Sequence, residues 1–378
     1  MRRVKAHFGQ TVHDARVWRV VDIDSLASHW QPDIRFLTLA TTMQQRQSVA
    51  QYRAAGLANV DWIDSDKLEV GDVVAVNAER SEVEVLYRES DMHHSLQLTN
   101  RCNSNCLMCS QPPTAQDDEW MIHESLEAIR HLAVSPQVLG LSGGEPLLLG
   151  PHLRTVLDAI GNKHPETRIE VLTNGRLLAN MDQARPLLEN LATRVTWLVP
   201  LYGHADFIHD FVVQAPGAFE QTLGGLLNLQ SYRQPVQLRI VLIRPVLEVL
   251  PALCTFIGRN LPFVKEVALM ACEPIGFALA NRELCEVDLL DWQDTLQLAA
   301  RQLSRHSVPF LFMNAPLCAL SENLHAFAHR SISDWKNVYA PICESCQVKA
   351  SCSGFFAWHE RGWRPAKIIQ IIHEEYVA

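Results

Sequence analysis

Between residues 94 and 271 the chain repeats one pattern: a short apolar run, a polar turn, then a stretch of helical period. The apolar runs are "SLQLTN", "QVLGLSG", "RIEVLTNG", "VTWLVPLYG", "VQLRIVLI" and "KEVALMA". Between them, "HESLEAIRHLAV", "GPHLRTVLDAIGNK", "MDQARPLLENLAT", "GAFEQTLGGLLNLQSY" and "EVLPALCTFIGRNL" space their apolar residues as amphipathic helices do. Six apolar strands alternating with helices imply a parallel sheet covered by helices. The predicted fold class is α/β, a partial (βα)6 barrel. In a parallel barrel, function sits at the C-terminal ends of the strands. Three polar motifs fall there: the cysteine loop "TNRCNSNCLMCSQPP", the pair Gly143 and Gly144, and Thr173-Asn174-Gly175.

Residues 1–90 read differently, as a small α+β domain. "ARVWRVVDI" and "IRFLTLAT" are strands, "QQRQSVAQYRAAG" is a helix closed by Gly56, and "LEVGDVVAVNAERSEVEVLYRES" is a hairpin. The barrel is assigned to residues 91–285. Residues 286–378 form a C-terminal module with a helix, "LLDWQDTLQLAARQLSRH", then "VPFLFMN" and a cysteine-bearing tail. A chain of 378 residues, 48% hydrophobic, suits a well-buried core in two or three domains. Its net charge of −9, with no long basic run, argues against a nucleic-acid partner. No apolar run approaches the ~18 residues of a membrane span. No apolar signal segment follows the basic start "MRRVKAHFGQTVHDARVW". The expectation is a soluble, cytoplasmic protein without a membrane partner.

Seven of the ten cysteines fall in two sets. Clustered thiols in a reducing compartment mean metal or iron–sulfur chemistry. Cys102, Cys106 and Cys109 are spaced C-x3-C-x2-C. Three thiolates hold three irons of a [4Fe–4S] cube and leave the fourth open to a ligand. The alternative is zinc completed by His93 or His94, although zinc favours C-x2-C pairs and four protein ligands. Cys343, Cys346 and Cys352 follow Cys318 and would close a second site with it, as an auxiliary cluster or a structural zinc. A closed cluster would accept an electron; without Cys318, an open iron would hold substrate. Cys254 and Cys285 read as core, and Cys272 lies nearer the strand ends.

The C-x3-C-x2-C loop after the first strand and "LSGGEPLL" after the second resemble the signature of radical S-adenosylmethionine (radical SAM) enzymes, over roughly residues 94 to 275. The tail resembles the auxiliary-cluster module called the twitch domain. A finer resemblance is to the His-Xaa-Ser-system radical SAM maturases, in "TNRCNSNCLMCSQPP", "LGLSGGEPLLLG", "HDFVVQAPGAF", "NLPFVKEVALM" and "RSISDWKNVYAPICESC".

The resemblance implies a [4Fe–4S] cluster whose open iron is chelated by S-adenosylmethionine. One electron then cleaves the sulfonium to a 5′-deoxyadenosyl radical, which abstracts a substrate hydrogen. It implies that backbone around Gly143, Gly144 and Glu145 accepts the methionine amino group, where two glycines suit close approach. Thr173 and Asn174 would line the nucleoside. Met108, in a position usually aromatic, would pack on adenine. Arg239 would pair with the carboxylate, or form a surface ion pair. The fifth strand, "LRIVLIRP", lacks the glycine-spaced motif common in the family. The implied partners are a precursor peptide with His-Xaa-Ser repeats, an external electron donor such as flavodoxin or ferredoxin, and a second radical SAM protein. The acidic net charge suits a neutral or basic peptide.

Two other readings stand beside this one. A radical enzyme acting on a small molecule such as a nucleotide would want clustered basic residues at the strand ends. A non-enzymatic iron–sulfur sensor would leave "GGEP" without a role. Asp117, Asp118 and Glu119 read as helix-start acids before they read as a base or a ligand of substrate His. Asp334 and Lys336 touch substrate or cap a helix. His204 and His209 read as structural.

Overall fold

The computed structural model describes residues 2–9, 12, 15–191, 194–358, 363 and 365. Two larger sheets organise them. The first has strands β1 (Arg2–Lys5), β2 (His7–Phe8), β3 (Val17–Val21), β4 (Phe36–Leu39), β5 (Val60–Asp64), β6 (Val73–Asn77) and β7 (Glu82–Tyr87), in the order β1-β7-β6-β3-β4-β5-β2. The second has β8 (Ser95–Gln97), β9 (Val138–Ser142), β10 (Arg168–Leu172), β11 (Val195–Pro200), β12 (Val236–Leu242), β13 (Glu266–Ala271), β14 (Phe310–Met313) and β15 (Ala328–His329), side by side in chain order. From β11 to β15 every ladder is parallel. This is the partial-barrel architecture expected from the alternation, carried two strands further by β14 and β15. A small ribbon of β16 (Asn337–Val338) and β17 (Phe355–Phe356) follows.

The chain divides into two compact units. The first comprises Met1–Thr99, Asp117–Leu141 and His152–Ile169. In it, β1 pairs antiparallel with β7 and β2 pairs antiparallel with β5. Only Ala6 separates β1 from β2, so one N-terminal segment joins both edges and the sheet closes on itself. Trp18, Val20, Leu37, Ile63, Val74 and Val83 fill its inner core. A second core of Phe36, Val49, Val60 and Leu26 gathers residues of β4, β5 and two helices. Thr42 and Gln45 form a capping box that starts the helix Met43–Ala54. Buried Arg88 holds buried Asp72 through two hydrogen bonds, 2.9 and 2.7 Å.

The second unit comprises Asn100–Gln116, Ser142–Pro151 and Glu170–Ala378. Strand β12 alternates strictly. Val236, Leu238, Ile240 and Leu242 are fully buried on one face, while Gln237, Arg239 and Val241 stand half-buried on the other. In register on β13 lie Glu266, Ala268 and Met270, so the second face gathers Gln237, Arg239 and Glu266 at one end and Val241, Ala268 and Met270 beside and beyond them. No helix among the described residues is long and apolar enough to cross a membrane.

Candidate functional site

The cysteine loop is gripped from two sides. Asn105 and Leu107 donate their backbone N–H to the carbonyls of Val213 (3.1 Å) and Val212 (2.9 Å). Those carbonyls end the helix Asp206–Val213 and have no partner within it. On the other side Phe277 N–H donates to the Cys109 carbonyl (2.8 Å) and Asn281 Nδ2 to the Leu107 carbonyl (2.9 Å). Gly276, at φ +62°, makes this approach possible, since a Cβ there would lie 2.4 Å from the Cys109 oxygen. Arg176 donates to the Asn103 carbonyl and to Ser104 Oγ (3.0 Å).

Cys102, Cys106 and Cys109 are free and half-buried. Burial, then the neighbouring thiols, pushes Cys106 up to about 12. Burial also pushes Cys102 up to about 11 and raises Cys109. Three thiolates in one such loop need a cationic centre to hold them. Among the described residues no three Cys, His, Asp or Glu side chains converge on a point that would hold a single metal ion. A cube takes one thiolate per iron at separate corners, so three thiols on one loop could each serve one iron of it.

The glycine turn packs directly on this loop. A Cβ on Gly144 would lie 2.1 Å from the Arg101 carbonyl oxygen, and Glu145 N–H donates to that same carbonyl (2.8 Å). Gly143 has φ +136°. The Glu145 side chain is fully buried and accepts from Thr173 Oγ1 (2.5 Å), Asn174 N–H (2.6 Å) and Leu147 N–H (2.9 Å). Burial raises its pKa, against the pull of those donors. Thr173 Oγ1 also accepts from Gly175 N–H (3.1 Å). The polar groups of Glu145 and Thr173 are thus spent on joining the two turns. Asn174 Nδ2 reaches the cysteine loop at Asn103 Oδ1 (2.6 Å).

Arg239 donates from Nε to Gln237 Oε1 (3.1 Å). Burial lowers its pKa, while Glu170, Tyr202 and Glu266 favour its charge. Met108 is buried. Tyr202, which the sequence did not single out, is buried at the end of β11, and its phenol is pushed well up by burial and by Cys106, Cys109 and Cys272. The signal was an aromatic residue just past a strand end. His209 Nδ1 accepts from Tyr202 N–H (3.2 Å), and burial holds the ring down to about 4, so it is neutral. Cys272 and Cys285 are buried and share a thiol hydrogen bond, which raises Cys272 and lowers Cys285. Cys254 is core. In the first unit, Asp118 is buried and accepts from Thr99 Oγ1 (2.7 Å), next to the start of the helix Trp120–His131.

The tail brings Cys318, Cys343, Cys346 and Cys352 around one cleft with Tyr339 and Lys349. Cys352 Sγ accepts from Leu317 N–H and Gly354 N–H, both at 3.4 Å. Burial raises this thiol and the two N–H groups oppose the rise. The ribbon of β16 and β17 ties the ends of the loop. Lys336 Nζ lies 3.2 and 3.0 Å from the two oxygens of Glu273, which follows β13 and Cys272, and so tethers the module to the strand ends.

Residues 96–248 match the family described as the radical SAM superfamily. A probable GTP 3′,8-cyclase of Methanocella arvoryzae is 30% identical over 157 residues, 40% of this chain and 48% of that one. Another, of Methanothermobacter marburgensis, is 32% identical over 90 residues, 23% and 28% of the two chains. The chain thus spans about half the length of the first relative or less. Among solved structures, Streptococcus suis SuiB bound to S-adenosylmethionine aligns with a TM-score of 0.46 and 11% identity, covering 66% of this chain and 54% of that one.

Proposed function

We propose, for a chain that carries a radical SAM domain over residues 96–248, that it is a cytoplasmic enzyme that cleaves S-adenosylmethionine reductively and modifies a ribosomally made precursor peptide. The observation that carries the radical chemistry is the shared backbone of the two motifs. Gly144 packs on Arg101 only because it has no Cβ, and Glu145 N–H fixes the same carbonyl one residue before Cys102. When bound, a [4Fe–4S] cluster supplies the electron and S-adenosylmethionine supplies the 5′-deoxyadenosyl radical.

The chain's own residues do the positioning. Cys102, Cys106 and Cys109 hold three irons. Backbone at Gly143 to Glu145 takes the methionine amino group, with Glu145 and Thr173 bracing the turn rather than touching the ligand by their side chains. Arg239 has its Nε on Gln237, which leaves its terminal nitrogens for the methionine carboxylate. Asn174 and Met108 line the nucleoside. Cys318, Cys343, Cys346 and Cys352 hold an auxiliary cluster. Were a cluster bound there, the two N–H donors on the Cys352 sulfur would raise its potential, because hydrogen bonds to cluster sulfurs tune it. An external flavodoxin-like or ferredoxin-like donor and a second radical SAM protein complete the system.

The peptide substrate is supported by the stretches that resemble His-Xaa-Ser-system maturases. A nucleotide substrate is the second reading, favoured by the two GTP 3′,8-cyclase relatives. Against it, two cations close to the cysteine sites are already engaged: Arg176 on the cysteine loop and Lys336 on Glu273.

The test is co-expression with small open reading frames encoded beside the gene, followed by mass spectrometry of the peptides. Parallel anaerobic assays use GTP. A mass change in a peptide that requires Cys102, Cys106 and Cys109 supports the proposal. Turnover of GTP with no modified peptide overturns the substrate. Undiminished 5′-deoxyadenosine from the Cys102→Ala/Cys106→Ala/Cys109→Ala variant overturns the radical site itself.

A further inference from the structure

A second cavity, of about 350 Å³, opens at the N-terminal end of β14, away from the strand ends that carry the cysteines. Its apolar lining includes Leu324, Phe310 and Phe327, the two rings stacked at 4.4 Å. Arg301 and Arg305 border it from the helix Gln293–Arg305. Both are exposed, and neither makes a hydrogen bond or ion pair among the described residues.

Two like charges one helical turn apart destabilise a helix. Arg305 lies in the last turn, where the helix dipole favours a cation, but Arg301 lies before it. The pair therefore carries a cost that its own helix does not fully explain. It stands bare on a chain of net charge −9, in which acids outnumber bases 42 to 33. Both residues are arginine, whose planar fork matches a carboxylate in a way that lysine does not. The volume falls within the range of sites that enclose a small group, and the lining would take one aromatic or aliphatic side chain.

We propose that this cavity is a docking site for an acidic peptide segment. One apolar side chain sits against Leu324 and Phe327, and flanking carboxylates take Arg301 and Arg305. A polyphosphate fits less well, because it has no apolar group to seat against Leu324, Phe310 and Phe327. The cavity's lining shares no residue with the cysteine cleft of the tail, so the occupant is held there rather than chemically changed there.

The test uses the full-length, cluster-loaded protein and a fluorescein-labelled peptide of repeated Glu-Asp-Phe units. A Lys-Lys-Phe peptide of equal length is the control. Anisotropy should rise with the acidic peptide in preference to the basic one, even though the protein's overall charge repels it. Arg301→Glu/Arg305→Glu should weaken that binding about tenfold or more, and added salt should weaken it too. Circular dichroism and reductive cleavage of S-adenosylmethionine should be unchanged in this variant, which shows that the fold and the radical site are intact. Equal binding of the two peptides, or equal binding by the double variant, overturns the proposal. Displacement of the labelled peptide by GTP or inorganic triphosphate at lower concentration than by the unlabelled peptide also overturns it, and assigns the cavity to phosphate.

Discussion

Gly144→Ala isolates the contact on which the first site is built. Gly144 does not have a positive φ, so alanine suits its backbone and the only change is one methyl group. That methyl would sit 2.1 Å from the Arg101 carbonyl oxygen and 2.6 Å from the carbonyl carbon, where 3.4 Å or more is ordinary contact. Both partners are backbone, so no flexible side chain can swing away. The turn and the loop must separate by roughly 1 Å, and overpacking of this kind costs about 2 kcal/mol. For a chain of 378 residues that lowers the melting temperature by only about 2–3 °C. The functional loss should be larger. The displacement stretches the Glu145 N–H bond to Arg101 and moves Cys102 relative to the glycine turn, and a 1 Å misplacement costs about a hundredfold in rate. The assay pairs thermal melting with anaerobic 5′-deoxyadenosine formation under excess reductant, with iron measured on each sample. The expected result is a folded protein, modestly destabilised, that retains iron and cleaves S-adenosylmethionine about a hundredfold more slowly. A variant that cleaves at the parental rate would refute the claim that this contact sets the geometry of the site.

Other expectations follow from the same structure. Anaerobic reconstitution should load about eight irons, four per cube; one zinc and four irons would remove the redox role of the tail. Changing Cys343, Cys346 and Cys352 to Ala should leave 5′-deoxyadenosine formation and stop product, once dichroism shows that the module remains folded; full product would make the tail site purely structural. His131 donates from Nδ1 to the Glu127 carbonyl (2.7 Å) and accepts the Arg35 N–H on Nε2 (3.0 Å), and burial lowers it from 6.5 to about 4. Its folded pKa lies below the unfolded one, so protons favour the unfolded chain. Stability should be full above pH 6.5 and fall toward pH 4 by about 3 kcal/mol. His131→Asn should flatten that slope in urea melts, and an unchanged slope would exclude this residue as its source.

Legibility in the sequence followed the range of the interactions. Strands β8 to β13 of the second sheet were visible because their apolar runs are bounded by polar turns, and β12 shows the outcome in its unbroken alternation of buried and half-buried residues. The two cysteine sets were visible because each set lies close in sequence, apart from Cys318 upstream. Three things were not visible. β1 and β2 are short and carry Arg2, Arg3, Lys5 and His7, so their pairing with β7 and β5 leaves no local apolar pattern. The tie between Glu145 and Thr173 spans 28 residues, and nothing local to "GGEP" or "LTNG" pairs the two side chains. The cavity beside Arg301 needs Leu324 and Phe327, more than twenty residues further on, to give the charged pair a floor.

The closure of the first sheet bears on how a peptide could be held. An extended peptide can bind by adding a strand to an open sheet edge, where unpaired N–H and C=O groups give affinity without sequence. In the first unit that route is blocked, because the segment Arg2–Phe8 already occupies both edges, on β7 through β1 and on β5 through β2. A closed sheet has no edge to offer. Recognition by this unit would therefore have to use side chains, and exposed apolar ones are present at Met43, Tyr52 and Met92. In the second unit, the cavity with Arg301 and Arg305 offers the complementary means, charge around an apolar seat. Both routes read side chains rather than backbone, so each demands a sequence motif from its partner. A peptide whose composition is kept but whose order is scrambled should then lose modification, whereas edge pairing would tolerate the change.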